Sequence, residues 1–287
     1  MTANQIHLQT FTLGALFKRF KGRISLTILL VIAEAGVNLL FPLFMGFAIN
    51  GLLAGTYNGL IYLAVLGVFS LLLGAGRRLY DTRIYAGIYT KVVSQLVDKE
   101  QKNESSVSKI SARTNLFTEF VEFLENTFPE VVNSFIGLFG TLLIIYSLNQ
   151  NIFLACLIAS VFVVIIYWLS SKRNFRLNKG YNDELEKQVD VLTTANNTQI
   201  EKHFKNVMRW NIKLSDFETF NFSLVWAGMI VLLLYAIVAA VNSGITAYGT
   251  VFSIIVYVFE FMSSVIALPL YYQQLIRLNE ISTRLND

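Results

Sequence analysis

The stretch LTILLVIAEAGVNLLFPLFMG, residues 26–46, decides the fold because it is almost entirely apolar over the length of a membrane-crossing helix. A hydrocarbon core of about 30 Å takes roughly 20 residues of α-helix to cross. Glu34 lies in the middle of this run, where a carboxylate surrounded by lipid would cost about 3 kcal/mol. The stretch therefore predicts a membrane span and raises the question of what its carboxylate does.

The composition of the whole chain is also strongly apolar. Of its 287 residues, 54% are hydrophobic and 15% are charged, whereas soluble domains carry roughly 25% charged residues. The net charge of +4 does not indicate a nucleic-acid partner, because the basic residues flank apolar runs and form no separate face. The composition predicts a membrane protein that crosses its lipid bilayer several times.

Six apolar runs are close to the length of a membrane span, and a backbone that crosses lipid must satisfy its own hydrogen bonds as a helix. The runs cover residues 24–50, 60–76, 131–148, 152–171, 222–241 and 248–270. They predict an all-α membrane protein with six long transmembrane helices, in a domain formed by residues 24–287. Residues 1–23 are expected to form an N-terminal elbow segment, because FTLGALFKRFKGR (11–23) has an apolar half and a basic half, typical of an amphipathic interfacial helix.

The connections between the runs predict the orientation. Residues 51–59, 147–151 and 242–249 are short and uncharged, so they would lie on one side of the membrane. The other side would hold the basic N-terminal segment, the long charged segments 77–130 and 172–221, and the C-terminus. Because basic loops stay inside, we expect both termini in the cytoplasm, the cell inner (plasma) membrane as the location, and helical extensions into the cytoplasm.

Three stretches carry a resemblance to a known family. EAGVNLLFPLFMGFAINGLL (34–53), IEKHFKNVMRW (200–210) and the final stretch from GITAYG to TRLND (244–287) resemble parts of the membrane domain of exporter-type ABC transporters. VSKISARTN (107–115) lies where that family has its first coupling helix, and Arg113 stands where the family usually has an acidic residue. The resemblance implies an elbow helix, six spans, and a homodimer around a central cavity that opens to alternate sides.

The energy source has two alternatives. The sequence contains no G-x-x-x-x-G-K-[ST] segment, which is the loop that holds the phosphates of ATP. The resemblance then implies either a separate ATPase subunit or transport driven by a proton gradient. Peptide importers that resemble ABC exporters in fold work in the second way.

Two carboxylates are expected near the midplane of the membrane. Glu34 lies about 15 Å along the helix from Arg23, and Glu260 lies at a similar distance from Tyr248. Acidic groups at such a depth can take up protons, attract a cation, or exchange one for the other. We therefore expect both carboxylates to line the cavity.

Three neighbours complete the candidate site for solute binding or proton coupling. Asn38 lies one turn from Glu34, and Tyr257 and Phe261 flank Glu260. Aromatic faces beside an acidic group suit organic cations and amphipathic amines. The alternative is structural: the polar groups bind neighbouring helices and the aromatic rings are ordinary packing.

Glu119 and Glu122 belong to an acidic stripe on the extension of the third helix. They are candidates for a cytoplasmic vestibule that concentrates a cationic solute, and the alternative is a solvated helix face. Pro129, just before the third span, is expected to kink the helix.

The leading interpretation is a transporter of a small cationic or amphipathic solute, with proton coupling as one version. The alternatives are a membrane subunit powered by a separate ATPase chain and a non-transporting accessory or sensor protein. We expect no enzyme activity, no cofactor and no metal, because His7 and His203 are far apart and no catalytic grouping is present.

Overall fold

The computed structural model of the protein describes residues 13–104, 106–194, 196–244 and 247–286, and nearly all of them are helical. The elements are α1 (Leu13–Leu53), α2 (Asn58–Lys102), α3 (Val107–Glu122), a π-helical turn (Phe123–Thr127), α4 (Phe128–Leu148), α5 (Gln150–Glu186), α6 (Gln188–Thr194), α7 (Asn197–Asn242) and α8 (Tyr248–Asn286). Among the described residues, six helical stretches are long and apolar enough to cross a membrane. The prediction of a six-span, all-α membrane protein is confirmed.

The uncharged connections are as short as the sequence predicts. The turn after α1 needs a left-handed residue, which Gly55 provides with φ +73°. The break between α4 and α5 is confined to Asn149, whose side chain accepts hydrogen bonds from the N–H groups of Asn151 and Ile152. This cap lets a new helix begin at once.

α1 contains a kink at Phe20, where φ is −115° and ψ is 23°. The kink separates residues 13–19 from the rest of α1, so this part of the predicted elbow segment (1–23) is helical with its own direction, and residues 21–23 continue into the span helix. Residues 1–12 of that segment lie outside the described residues.

The helices extend beyond a bilayer. α2 has 45 residues and α7 has 46, which at 1.5 Å per residue gives roughly 68 Å, against about 45 Å for a bilayer with its headgroups. Residues 107–115, expected in the place of a coupling helix, form the first turns of α3, because Ser106 caps a helix that continues without a break. The other long charged segment, 172–221, contains the short helix α6.

The chain divides into two compact units. The first consists of the described parts of residues 1–148 and 244–287, and the second of residues 149–243. Buried aromatic and aliphatic side chains from α1, α2, α3 and α8, including Phe20, Tyr85, Phe117, Phe120 and Leu278, form a core of the first unit. In the second unit α5 packs along α7, where Ser170 donates a hydrogen bond of 2.8 Å to Asn221.

The irregularity expected at Pro129 takes the form of the π-helical turn. Proline has no N–H to donate to the carbonyl of residue 125, and its ring crowds that carbonyl. The helix widens instead, and the N–H of Phe128 bonds the carbonyl of Phe123, five residues back. Regular α-helix resumes with α4.

Candidate functional site

Glu34 is held in a buried ion-pair network between α1 and α2. Arg77 binds Glu34 through Nε and binds Asp81 through Nη1 at 2.8 Å. Thr27 Oγ1 donates to the other oxygen of Asp81 at 2.9 Å. The side chain of Arg77 is 9% exposed and that of Glu34 is 16% exposed, so this network explains how an apolar helix carries a carboxylate.

A seam of hydrogen bonds joins α1 to α8. The Tyr257 hydroxyl donates to the carbonyl of Leu39 at 2.8 Å, and Ser253 Oγ donates to the carbonyl of Pro42 at 2.6 Å. Tyr257 and Phe261 are both fully buried. The structure therefore places the two aromatic candidates in helix packing.

A cavity of about 370 Å³ lies between α1, α4 and α8, and Glu260 is in its wall. The polar residues that line it are Asn38, Asn133, Glu260, Ser263 and Ser264. Gly137 lies close to α8, because a Cβ there would be 3.2 Å from Ser264 Oγ. This close approach brings α4 and α8 together at the cavity.

Glu260 is the only charged residue among those that line the cavity. Within the part of the chain that the structure describes, it has no hydrogen-bond or ion-pair partner. Of the two carboxylates that the sequence places at mid-membrane depth, Glu34 is therefore paired with Arg77, whereas Glu260 faces the cavity unpaired. Such a group attracts a cation or takes up a proton.

The two asparagines in the wall differ in their bonding. Asn38 Oδ1 accepts a hydrogen bond of 3.3 Å from Ser70 of α2. Asn133 Oδ1 is buried and has no donor among the described residues. Sequence reasoning missed Asn133, although a polar residue near the start of the apolar run 131–148 is the kind of feature that marks such a site.

The acidic candidates Glu119 and Glu122 line a second, smaller cavity of about 280 Å³ beside the π-helical turn. Arg277 of α8 lies in the same wall and donates to Glu119 at 3.0 Å. Glu125 accepts from Thr82 Oγ1 at 2.9 Å. Arg277 thus neutralises part of the stripe, whereas Glu122 has no hydrogen-bond or ion-pair partner among the described residues.

Further paired charges lie on the extensions of the helices beyond their apolar runs. Arg113 binds Glu100, whose side chain is 2% exposed. On the extension of α5, past the end of its apolar run, Glu184 pairs with Lys187 at 3.1 Å and with His203 Nδ1 at 3.3 Å. The hydrogen bond from Lys187, reinforced by His203, holds the pKa of Glu184 below its usual value.

In the described ranges no group of three His, Cys, Asp or Glu side chains is placed to hold a metal ion.

A family model for the ABC transporter transmembrane region matches residues 13–250, which include α1 to α7 and the beginning of α8. No curated protein matches the chain.

Proposed function

Because the chain belongs to the ABC transporter transmembrane region family, we propose that it forms the solute pathway of a transporter and moves a small cationic or amphipathic solute. The observation that carries the proposal is the unpaired carboxylate of Glu260 in the wall of the 370 Å³ cavity. A carboxylate at such a site is stabilised by a cation and repels an anion. The solute is therefore expected to present a positive group to Glu260.

We propose that two copies form the complete pathway. Large apolar side chains remain exposed in a single copy, among them Leu71 and Leu143 at 70% each. Lipid covers part of this surface in a membrane protein, and the family membership favours a second copy as the cover for the rest. The basic segments support an inner-membrane location with both termini in the cytoplasm.

Transport is proposed to be driven either by ATP hydrolysis in a partner chain or by a proton gradient. Family membership favours ATP hydrolysis by an ATPase partner, which makes the chain a membrane subunit. The unpaired Glu260 favours proton coupling, because a carboxylate that exchanges a cation for a proton links the two movements. Co-purification of a stoichiometric ATPase would establish the first source.

The test is uptake of cationic dyes or polyamines into proteoliposomes, with an imposed pH gradient or with ATP and any co-purified ATPase. Glu260→Gln should abolish uptake and leave thermal stability unchanged. Glu34→Gln should act on stability, because its carboxylate holds Arg77. The matched control is Glu201→Gln, which changes a carboxylate that is 66% exposed on α7.

The outcomes separate the alternatives. Normal uptake by Glu260→Gln would contradict the role of this carboxylate. If the wild-type protein moves no solute under either energy source, the chain is an accessory or sensor protein and the transport proposal is wrong.

A further inference from the structure

We infer that the Glu260 cavity selects primary ammonium groups over quaternary ones, and that Asn133 makes this selection. The inference rests on the proposed function, since it concerns the same cavity and the same positive solute group. It adds a chemical class for that group and a residue that recognises it.

The two acceptors come from different helices that are held close together. Asn133 and Gly137 lie one turn apart on α4, and Glu260 and Ser264 lie one turn apart on α8. The missing side chain of Gly137 allows Ser264 to approach α4. Asn133 and Glu260 both line the cavity, and its volume of about 370 Å³ suits a small organic molecule.

Asn133 brings an unused hydrogen-bond acceptor. Its Oδ1 is buried without a donor in the described residues, and a buried acceptor in that state destabilises the protein. The amide turns easily, because the terminal torsion of asparagine is broad. A donor in the cavity can therefore draw the oxygen towards itself and remove the penalty.

A primary ammonium group has donors for both kinds of acceptor in the cavity wall. Its three N–H groups can donate to the Glu260 carboxylate and to Asn133 Oδ1 at the same time. A quaternary ammonium group has no N–H, so it gains only the attraction to Glu260 and leaves Asn133 unpaired. Asn38 contributes less to this distinction, because its oxygen already accepts from Ser70.

The small number of aromatic residues in the cavity wall also favours a primary ammonium group over a quaternary one. Quaternary ammonium groups are recognised by cages of several aromatic faces. Phe259 is the one aromatic residue among those that line the cavity, and the neighbouring rings of Tyr257 and Phe261 are fully buried in packing. The wall therefore offers acceptors for N–H donors and little aromatic surface for a methylated cation.

The test compares two probes that differ only at nitrogen: butylamine, which is protonated at neutral pH as lysine is, and butyltrimethylammonium. Their dissociation constants are measured by calorimetry with the full chain in lipid nanodiscs. We expect the wild-type protein to bind butylamine about tenfold more tightly, the value of one hydrogen bond to a charged group. Asn133→Leu should lower this ratio, because only the donation to the remaining acceptors then favours butylamine, while Asn151→Leu, at an exposed position on α5, should keep it.

Stability provides an independent readout. Because leucine removes an unpaired acceptor and keeps similar volume, Asn133→Leu should melt at the wild-type temperature or above it. If that variant does not fold, Asn133→Ser, which shortens the reach of the acceptor, should reduce the preference instead.

The outcomes distinguish this inference from the proposed function. Equal binding of both probes by the wild-type protein, with loss of both in Glu260→Gln, would overturn the role of Asn133 and leave the Glu260 site standing. An unchanged preference in Asn133→Leu would have the same meaning. Failure of both probes to bind, together with no effect of Glu260→Gln on transport, would overturn the two proposals.

Discussion

Arg77 of α2 binds Glu34 of α1 although the two residues are separated by 43 positions in the chain. The guanidinium also binds Asp81, so one cation serves two carboxylates between the helices. This ion pair distinguishes Glu34 from Glu260, although the sequence alone gives the two carboxylates the same predicted depth and role. Glu34 belongs to the contact between two helices, and Glu260 belongs to a cavity.

Arg77→Ala should lower the free energy of unfolding by about 3 kcal/mol, because it leaves the part-buried Glu34 and the buried Asp81 without their shared cation. The measurement is thermal or denaturant-induced unfolding in detergent. Lys102→Ala is the matched control, since Lys102 pairs with Asp98 at a site where the side chains are 72% and 65% exposed, and exposed pairs contribute at most about 1 kcal/mol. Equal effects of the two substitutions would contradict the importance of the network.

Gly249→Ala should separate α1 from α8 and destabilise the protein by about 2 kcal/mol. A Cβ at Gly249 would lie 2.0 Å from the carbonyl oxygen of Gly46, and this backbone atom cannot move aside alone. Gly36→Ala serves as the control on α1, because a Cβ there meets no atom within 4 Å. The melting temperature should fall for the first substitution and stay or rise for the second; a similar change in both would argue against a close contact at the seam.

Tyr257→Phe should cost about 1 kcal/mol of stability and leave solute uptake unchanged. The substitution keeps the buried ring and removes the hydroxyl that donates to the carbonyl of Leu39. Unfolding and proteoliposome uptake are measured on the same preparation. Loss of uptake at wild-type stability would show that Tyr257 serves the solute, as the sequence first suggested.

Glu184→Gln should destabilise the protein at pH 7 and lose this effect on acidification. Lys187 and His203 hold the pKa of Glu184 below its unfolded value of 4.5. A lowered pKa in the folded state adds stability above the unfolded pKa, and this stability disappears as the pH falls through the folded pKa. Melting temperatures of the variant and the wild-type protein should therefore converge as the pH falls below 4.5, and a constant difference from pH 7 downwards would rule out this linkage.

The sequence predicts the spans well because hydropathy is a local property of consecutive residues. The apolar runs and the uncharged connections each lie within a single stretch, and the six helices follow them closely. The family could also be recognised from stretches of 11 to 44 residues, and the match over residues 13–250 confirms it.

The fate of single polar residues was much less predictable, because it depends on partners that are distant in the chain. No local pattern links Glu34 to Arg77, or Tyr257 to the carbonyl of Leu39 218 positions away. The sequence did not predict a site role for Asn133, because one amide barely changes the mean hydropathy of the apolar run 131–148. The cavity exists only where three helices meet, so its lining becomes visible with the fold.

The π-helical turn at Phe123–Thr127 holds one residue more than an α-helical turn would need. Each residue of an α-helix changes the direction of the side chains by about 100°. The extra residue therefore changes the angle about the helix axis between the acidic stripe before the turn and the residues of α4 that line the cavity after it. A lineage that deleted one residue of this turn and replaced Pro129 with another residue would regain a regular helix. The side chain of Asn133 would then point in a different direction from its present one. Insertions and deletions at this turn are therefore a means by which evolution could re-aim a binding wall without disturbing the rest of the span.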